Sequence, residues 1–148
     1  GLRQPGVVVE RRGGETGARE EAVGPVSRGA TREPEAARRR ERRDVHLPAG
    51  REGLAQPIWY WNPSIAPSGM MFYTGDRFPH WQGDLFVSAL AGSKIERLEV
   101  DGDRVISVEP LLEDLGQRFR DVRTGPDGAI YTLTDDFEGS VLRLVPAE

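Results

Sequence analysis

All eleven aromatic residues of this 148-residue chain lie after position 58, from Trp59 to Phe137. Large apolar side chains supply most of the burial that offsets chain entropy. The material for a core is therefore confined to the second part of the chain. Residues 1–54 hold twelve Arg, nine Gly, six Ala and four Pro, so 31 of 54 are these four types. Nine acids leave that stretch at 12 − 9 = +3, while residues 55–148, with eight basic and fifteen acidic residues, carry 8 − 15 = −7. Low hydropathy with high charge predicts that residues 1–54 are disordered and contribute no strand to the fold.

The same bias has a second reading. Arg, Gly, Ala and Pro in excess, without aromatics, is what GC-rich coding DNA gives out of frame, and nineteen Arg against one Lys fits such a source. On this reading residues 1 to about 52 are non-native, a frame-shifted translation. The Arg run from Ala36 to Arg43 lacks interleaved aromatics for base stacking, so it reads as a solvated tail rather than a nucleic-acid-binding element. With no Cys, disulfides and thiolate metal sites are excluded. No apolar run reaches the roughly 18 residues a membrane helix needs, and nothing near Gly1 reads as a signal peptide.

Residues 64–148 repeat a pattern of short strands. Strands are expected at Gly69–Thr74, Asp84–Leu90, Lys94–Val100 and Arg104–Leu111, with a tight turn at Asp101-Gly102-Asp103. The second unit places strands at Arg118–Thr124, Ala129–Thr134 and Ser140–Val145, so that Arg143 follows Arg97 by 46 positions. Hairpin units repeating at 40–50 residues are the signature of a β-propeller. The fold expected is all-β. The second unit stops after three strands, and two blades cannot close a ring, so both flanks should expose edges and apolar faces, as in a fragment.

Arg118 and Arg120 stand two apart on one predicted strand and so leave the same face, while Phe119 points to the other. Two guanidinium forks on a channel-lining strand would hold a multiply charged carboxylate or phosphate. They would equally serve as surface arginines neutralised by Asp121, Glu113 or Asp114. In Trp61–Gly69 (WNPSIAPSG), two prolines fix an extended entry to the first strand. Ser64 can offer its hydroxyl there, and Trp59 or Trp61 a stacking face, or the segment is simply a rigid loop. His80 reads as a loop residue rather than a base. Asp135-Asp136 with Glu138 reads as a polar turn rather than a cation site.

The segments WNPSIAPSGMMFY (Trp61–Tyr73), TGDRFPHWQGDLFVSAL (Thr74–Leu90), RFRDVRTGPDG (Arg118–Gly128) and YTLTD (Tyr131–Asp135) resemble the C-terminal part of the soluble sugar dehydrogenases that depend on pyrroloquinoline quinone (PQQ), the glucose/sorbosone or aldose dehydrogenase family. The resemblance covers about 90 residues, in family order. It implies the last two blades of a six-bladed propeller within residues 55–148. It also implies oxidation of aldose sugars at C1 by hydride transfer to PQQ, a separate electron acceptor, and a periplasmic or secreted location. By the same resemblance Arg118 and Arg120 hold the PQQ carboxylates, and Ser64, with Trp61 close by, contacts the cofactor. The family's lysine position carries Ala91, with Lys94 three residues on. The catalytic base and the calcium ligands would lie in blades absent from this sequence, so calcium and catalytic residues are not assigned here and the chain alone is expected to be inactive. The alternative is a non-enzymatic propeller piece that binds a protein or a glycan.

Overall fold

A computed structural model describes residues 7–12, 19–21, 53 and 55–147. Nine strands are defined: β1 (Val7–Arg12), β2 (Arg19–Glu21), β3 (Pro67–Phe72), β4 (Leu85–Ala89), β5 (Ile95–Asp101), β6 (Arg104–Leu111), β7 (Phe119–Thr124), β8 (Ile130–Thr134) and β9 (Val141–Pro146). Short 3₁₀ turns at Pro79–Trp81 and Glu113–Leu115 complete the regular elements, and no α-helix occurs among the described residues. The strands form two antiparallel sheets, one ordered β3-β4-β5-β6 and the other β2-β1-β9-β8-β7. The all-β expectation and the seven strands placed from sequence are therefore observed.

One expectation is corrected. Residues 1–54 do supply a strand to the second unit: β1 pairs with β9 over six positions, from Val7 opposite Pro146 to Arg12 opposite Val141. The alternation of Val7 and Val9, both 4 % exposed, sends two side chains into the core beside Leu142 and Leu144. Two valines and a sheet edge suffice, although the surrounding composition is polar. The rest of the stretch expected to be disordered, apart from β2 and Gly53, lies outside the described residues.

The two units share local irregularities as well as strand order. Register shifts fall between Pro67 and Gly69 on β3 and between Phe119 and Asp121 on β7, at the same point of each first strand. Such bulges re-aim the side chains next to them.

The sheets meet along β3 and β7. Ser68 Oγ donates to the Phe119 carbonyl at 2.7 Å near the start of both strands, and Arg123 donates to the Met70 carbonyl at 2.9 Å. At the far end the Tyr73 hydroxyl donates to the Gly128 carbonyl at 2.6 Å and accepts from the Phe78 amide at 3.2 Å. Burial pushes the Tyr73 phenol up, against the hydrogen bonds that favour its ionised form. Gly75 is required here, because a Cβ on it would collide with the Gly128 carbonyl and the Tyr73 ring. Between these ties lie Phe86, Phe78 and Trp81, the last two stacked at 4.3 Å, with Phe119, Val122 and Ile130 from the second sheet. The outward faces keep large apolar side chains exposed, Met70 and Phe72 on the first sheet and Leu133 and Val141 on the second.

Each sheet also carries one arginine held by two carboxylates. Arg97 on β5 bonds Asp84 and Glu109 and lies over the Trp81 ring. Arg143 on β9 bonds Asp127 at 2.6 Å and Glu10 at 2.8 Å. The Asp127 carboxyl is held below the ordinary range chiefly by the Arg143 hydrogen bonds, whereas burial raises that of Asp84 despite Arg97. A lowered carboxyl stabilises the fold above its unfolded value and loses that contribution as pH falls through its folded value, whereas a raised one loses nothing on acidification.

Two outcomes are expected. Tyr73→Phe strands the buried Gly128 carbonyl and should cost about 1–3 kcal/mol in chemical denaturation. Acidification below about pH 4, the ordinary aspartate range, should loosen amide protection of the Asp127 turn and β9 before that of β5. Asp127→Asn should remove this difference, as followed by hydrogen exchange.

Candidate functional site

The candidate residues gather at one end of the two sheets. β3 and β7 both start there, as the Ser68–Phe119 bond shows. The β4–β5 turn lies at this end because Ser88 pairs with Ile95, and the β8–β9 turn because Leu133 pairs with Val141. Ser64, Ala91, Lys94, Arg118, Arg120 and Asp135 therefore belong to neighbouring loops and strand starts.

Arg118 and Arg120 meet on one carboxylate. Arg118 Nη2 lies 3.0 Å from Asp135 Oδ2, and Arg120 Nη2 2.7 Å from Asp135 Oδ1. Arg120 Nε adds a second bond to the same Oδ1 at 3.1 Å. Asp135 is itself placed by its amide, which donates to the Arg118 carbonyl at 2.7 Å. The partners considered from sequence are thus replaced: Asp121 pairs with Arg123 at 3.1 Å, and Glu113 with Lys94 at 3.6 Å. Strand alternation alone does not bring the two guanidiniums together. Arg118 precedes β7 and Arg120 falls in its bulge, and one oxygen of Asp135 engages each.

The resulting trio carries 1 + 1 − 1 = +1. The arginine side chains remain 56 % and 54 % exposed, so N–H donors of both forks stay open to solvent beyond Asp135. Phe119, between them, is fully buried against the first sheet and anchors the strand. The arrangement suits an anion with oxygens spaced to take one fork each.

Ser64 is exposed, and its Oγ accepts from the Ala66 amide at 3.1 Å, which folds the turn into β3. Trp61 does not stand free: its indole N–H donates to Glu96 Oε2 on β5 at 2.6 Å. The loop is tied down further by the Ala91 and Gly92 amides, which donate to the Ile65 carbonyl. Trp59 is 40 % exposed. Lys94 pairs with Glu96 at 2.9 Å. Burial is the largest single influence and depresses its ammonium, but the hydrogen bonds and charges of Glu96 and Glu113 together outweigh it and leave the ammonium raised. Its charge is thus committed to this loop cluster rather than projected from the position of Ala91. His80 is exposed in the 3₁₀ turn near the first sheet's other loops, and His46 lies outside the described residues. Among the described residues no group of three or more His, Cys, Asp or Glu could hold a metal ion, and no helix is long and apolar enough to cross a membrane.

The sequence reading missed Asp135 as the organiser of the arginine pair. The signal was the pairing of the two strands, since a residue following β8 must return beside the start of β7.

The comparisons with known proteins agree with this architecture. The chain is 49% identical over 94 residues to the aldose sugar dehydrogenase YliI of Escherichia coli K12, a match covering 64% of this chain and 25% of that protein. It is 46% identical over 94 residues to the uncharacterized protein slr1608 of Synechocystis, covering 64% and 23%. The chain thus spans about a quarter of the length of the curated relatives it matches. A solved glucose dehydrogenase superposes with a TM-score of 0.60 at 49% identity, covering 64% of this chain and 29% of that one. The apo-form crystal structure of the soluble aldose sugar dehydrogenase from Escherichia coli gives 0.60 at 47%, covering 65% and 28%. Residues 35–143 match the Glucose / Sorbosone dehydrogenase family model, and the chain belongs to that family.

Proposed function

We propose that the chain is the carboxylate-binding part of a PQQ-dependent aldose sugar dehydrogenase, formed by the last two blades of a six-bladed propeller. The observation that carries this reading is the exposed Arg118–Arg120 pair organised by Asp135. A tricarboxylate quinone offers oxygens for both forks at once, and two charge-assisted contacts orient it as well as hold it. The donor set fits that group. When bound, PQQ supplies the hydride acceptor for the C1 carbon of an aldose.

Arg118 and Arg120 bind the carboxylates from the start of β7. Asp135 holds the two cations side by side, so less side-chain freedom is lost when an anion arrives. Ser64 contributes from the adjacent turn, where its Oγ already accepts the Ala66 amide and its proton remains available to donate. Trp61, pinned by Glu96, borders the same loop cluster. Lys94 is not assigned to the cofactor, because Glu96 and Glu113 already take its ammonium.

Catalysis needs a base and calcium that this chain does not supply in the proposed arrangement. They belong to the blades that make up the remaining length of its relatives. The chain alone is therefore proposed to bind the anionic face of PQQ weakly and to turn over no sugar. An exported setting, with the sugar and an electron acceptor as partners, follows the same reading.

The test is titration of the purified chain with PQQ, followed by quenching of its tryptophan fluorescence. Arg118→Ala combined with Arg120→Ala is expected to weaken binding by about a hundredfold, at about tenfold per lost charged contact. Circular dichroism should stay unchanged, because both side chains are more than half exposed. Equal binding by the double variant sinks the proposal.

A further inference from the structure

Two bulges face each other where the sheets meet. On β3 the unpaired extra residue is Ser68, between Pro67 opposite Ala89 and Gly69 opposite Ser88. On β7 it is Arg120, between Phe119 opposite Thr134 and Asp121 opposite Leu133. The two extra residues are put to different use. Arg120 sends its guanidinium out to Asp135, whereas Ser68 sends its hydroxyl across the seam to the Phe119 carbonyl at 2.7 Å. The strands press together at this point, since a Cβ on Gly69 would meet the Cα and the carboxylate of Asp121. The residue after each bulge is also held by a hydroxyl from the neighbouring strand of its own sheet. Ser88 Oγ donates to the Gly69 carbonyl at 3.2 Å. Thr132, buried on β8, donates its Oγ1 to the Asp121 carbonyl at 2.7 Å.

These bonds fix peptide planes, and through them the direction of side chains. A peptide unit is planar from one Cα to the next, so anchoring its carbonyl oxygen anchors both Cα atoms. The Phe119 carbonyl belongs to the unit that ends at the Arg120 Cα, and Ser68 holds it. The Arg118 carbonyl belongs to the unit before that, and the Asp135 amide holds it at 2.7 Å. The Asp121 carbonyl, held by Thr132, fixes the unit that follows the bulge. A bulge interrupts the ladder that orients successive units of a regular strand, so the direction of Arg120 falls to the two hydroxyls. Both act on backbone oxygens, and thus reach the guanidinium only through the Arg120 Cα.

We infer that Ser68 and Thr132 are positioning residues of the Arg118–Arg120 site. They hold the backbone beneath Arg120 so that its fork stands beside that of Arg118 before a ligand arrives. Asp135 draws the two cations together by charge, and the two hydroxyls set the base from which Arg120 extends. A fork held in advance loses less freedom when an anion binds. The identity of that anion as a quinone tricarboxylate rests on the proposed function, whereas the positioning itself does not. Removing either hydroxyl leaves both arginines, Asp135 and the charge of the trio in place, so its effect is separable from loss of a direct contact.

Two variants of the full chain test this, Ser68→Ala and Thr132→Val, the second keeping the shape of the side chain while removing its donor. The first readout needs no cofactor. Arg120 Nε–H bonds Asp135, and its ¹H–¹⁵N signal is expected to move toward that of a solvated arginine in both variants. The Arg143 Nε–H, bonded to Asp127 in the same sheet, should keep its place, and Ser68→Thr and Thr132→Ser should restore the Arg120 signal. An unmoved Arg120 signal in either variant overturns the inference. So does a joint shift of Arg120 and Arg143, which would make the hydroxyls ties of the whole sheet rather than of the site. The second readout is the PQQ titration, in which each variant is expected to bind about tenfold less tightly, roughly the worth of one hydrogen bond, with recovery in the hydroxyl-bearing substitutions. Equal binding by the variants and the unaltered chain also overturns the positioning role. If the unaltered chain binds no PQQ, the cofactor reading fails, and the arginine signals alone decide the positioning.

Discussion

The contact between β3 and β7 is the constraint on which the remaining geometry depends. These strands belong to different sheets, so no ladder joins them. They are held by side chains that reach carbonyls across the gap, Ser68 to Phe119, Arg123 to Met70 and Tyr73 to Gly128. The buried Gly128 carbonyl, in finding the Tyr73 hydroxyl, avoids a desolvation cost of about 1–3 kcal/mol. The ties at both ends of the strands leave the wedge of Phe86, Phe119 and Val122 to fill the space between. Because Phe119 is fixed in this way, Arg118 and Arg120 on either side of it have a defined place at the strand start.

Much of this was legible in the residues. The strand Arg104–Leu111 is observed with the limits read from its alternation and its Asp-Gly-Asp turn. The first strand lies two residues earlier than expected, at Pro67–Phe72, because pairing begins with Pro67 opposite Ala89 and Tyr73 leaves the strand to reach across the seam. The match of Arg143 to Arg97 was visible as a spacing, and the two carboxylates that each arginine holds give it a physical meaning. β1 was not legible from composition. Its valines sit among arginines and glycines, and the burial of Val7 and Val9 depends on an edge formed more than a hundred residues later. A strand of this type is decided by its partner rather than by local propensity.

The two arginines were expected to project together from one face, and they do converge, but the reason given was incomplete. Alternation along a strand puts residues i and i+2 on one face. The bulge at Arg120 breaks that alternation, and the convergence is restored by Asp135. Proximity here is therefore a property of three residues on two strands.

Arg97, Arg143, Arg118 and Arg120 all meet carboxylates through short bonds, and exposure separates them into two pairs. Arg97 and Arg143 each meet two carboxylates and are mostly covered, at 9% and 15% side-chain exposure. Their donors are consumed inside the fold, and breaking either pair would leave a poorly solvated charge. Arg118 and Arg120 share one carboxylate and stay more than half exposed. Ion pairs so open to water contribute little to stability, so fold stability alone gives two cations little reason to sit side by side with only one counter-charge. The deficit of one negative charge within the Arg118–Arg120–Asp135 trio is the property an anionic ligand would satisfy, and it arises where buried Phe119 anchors the start of the strand.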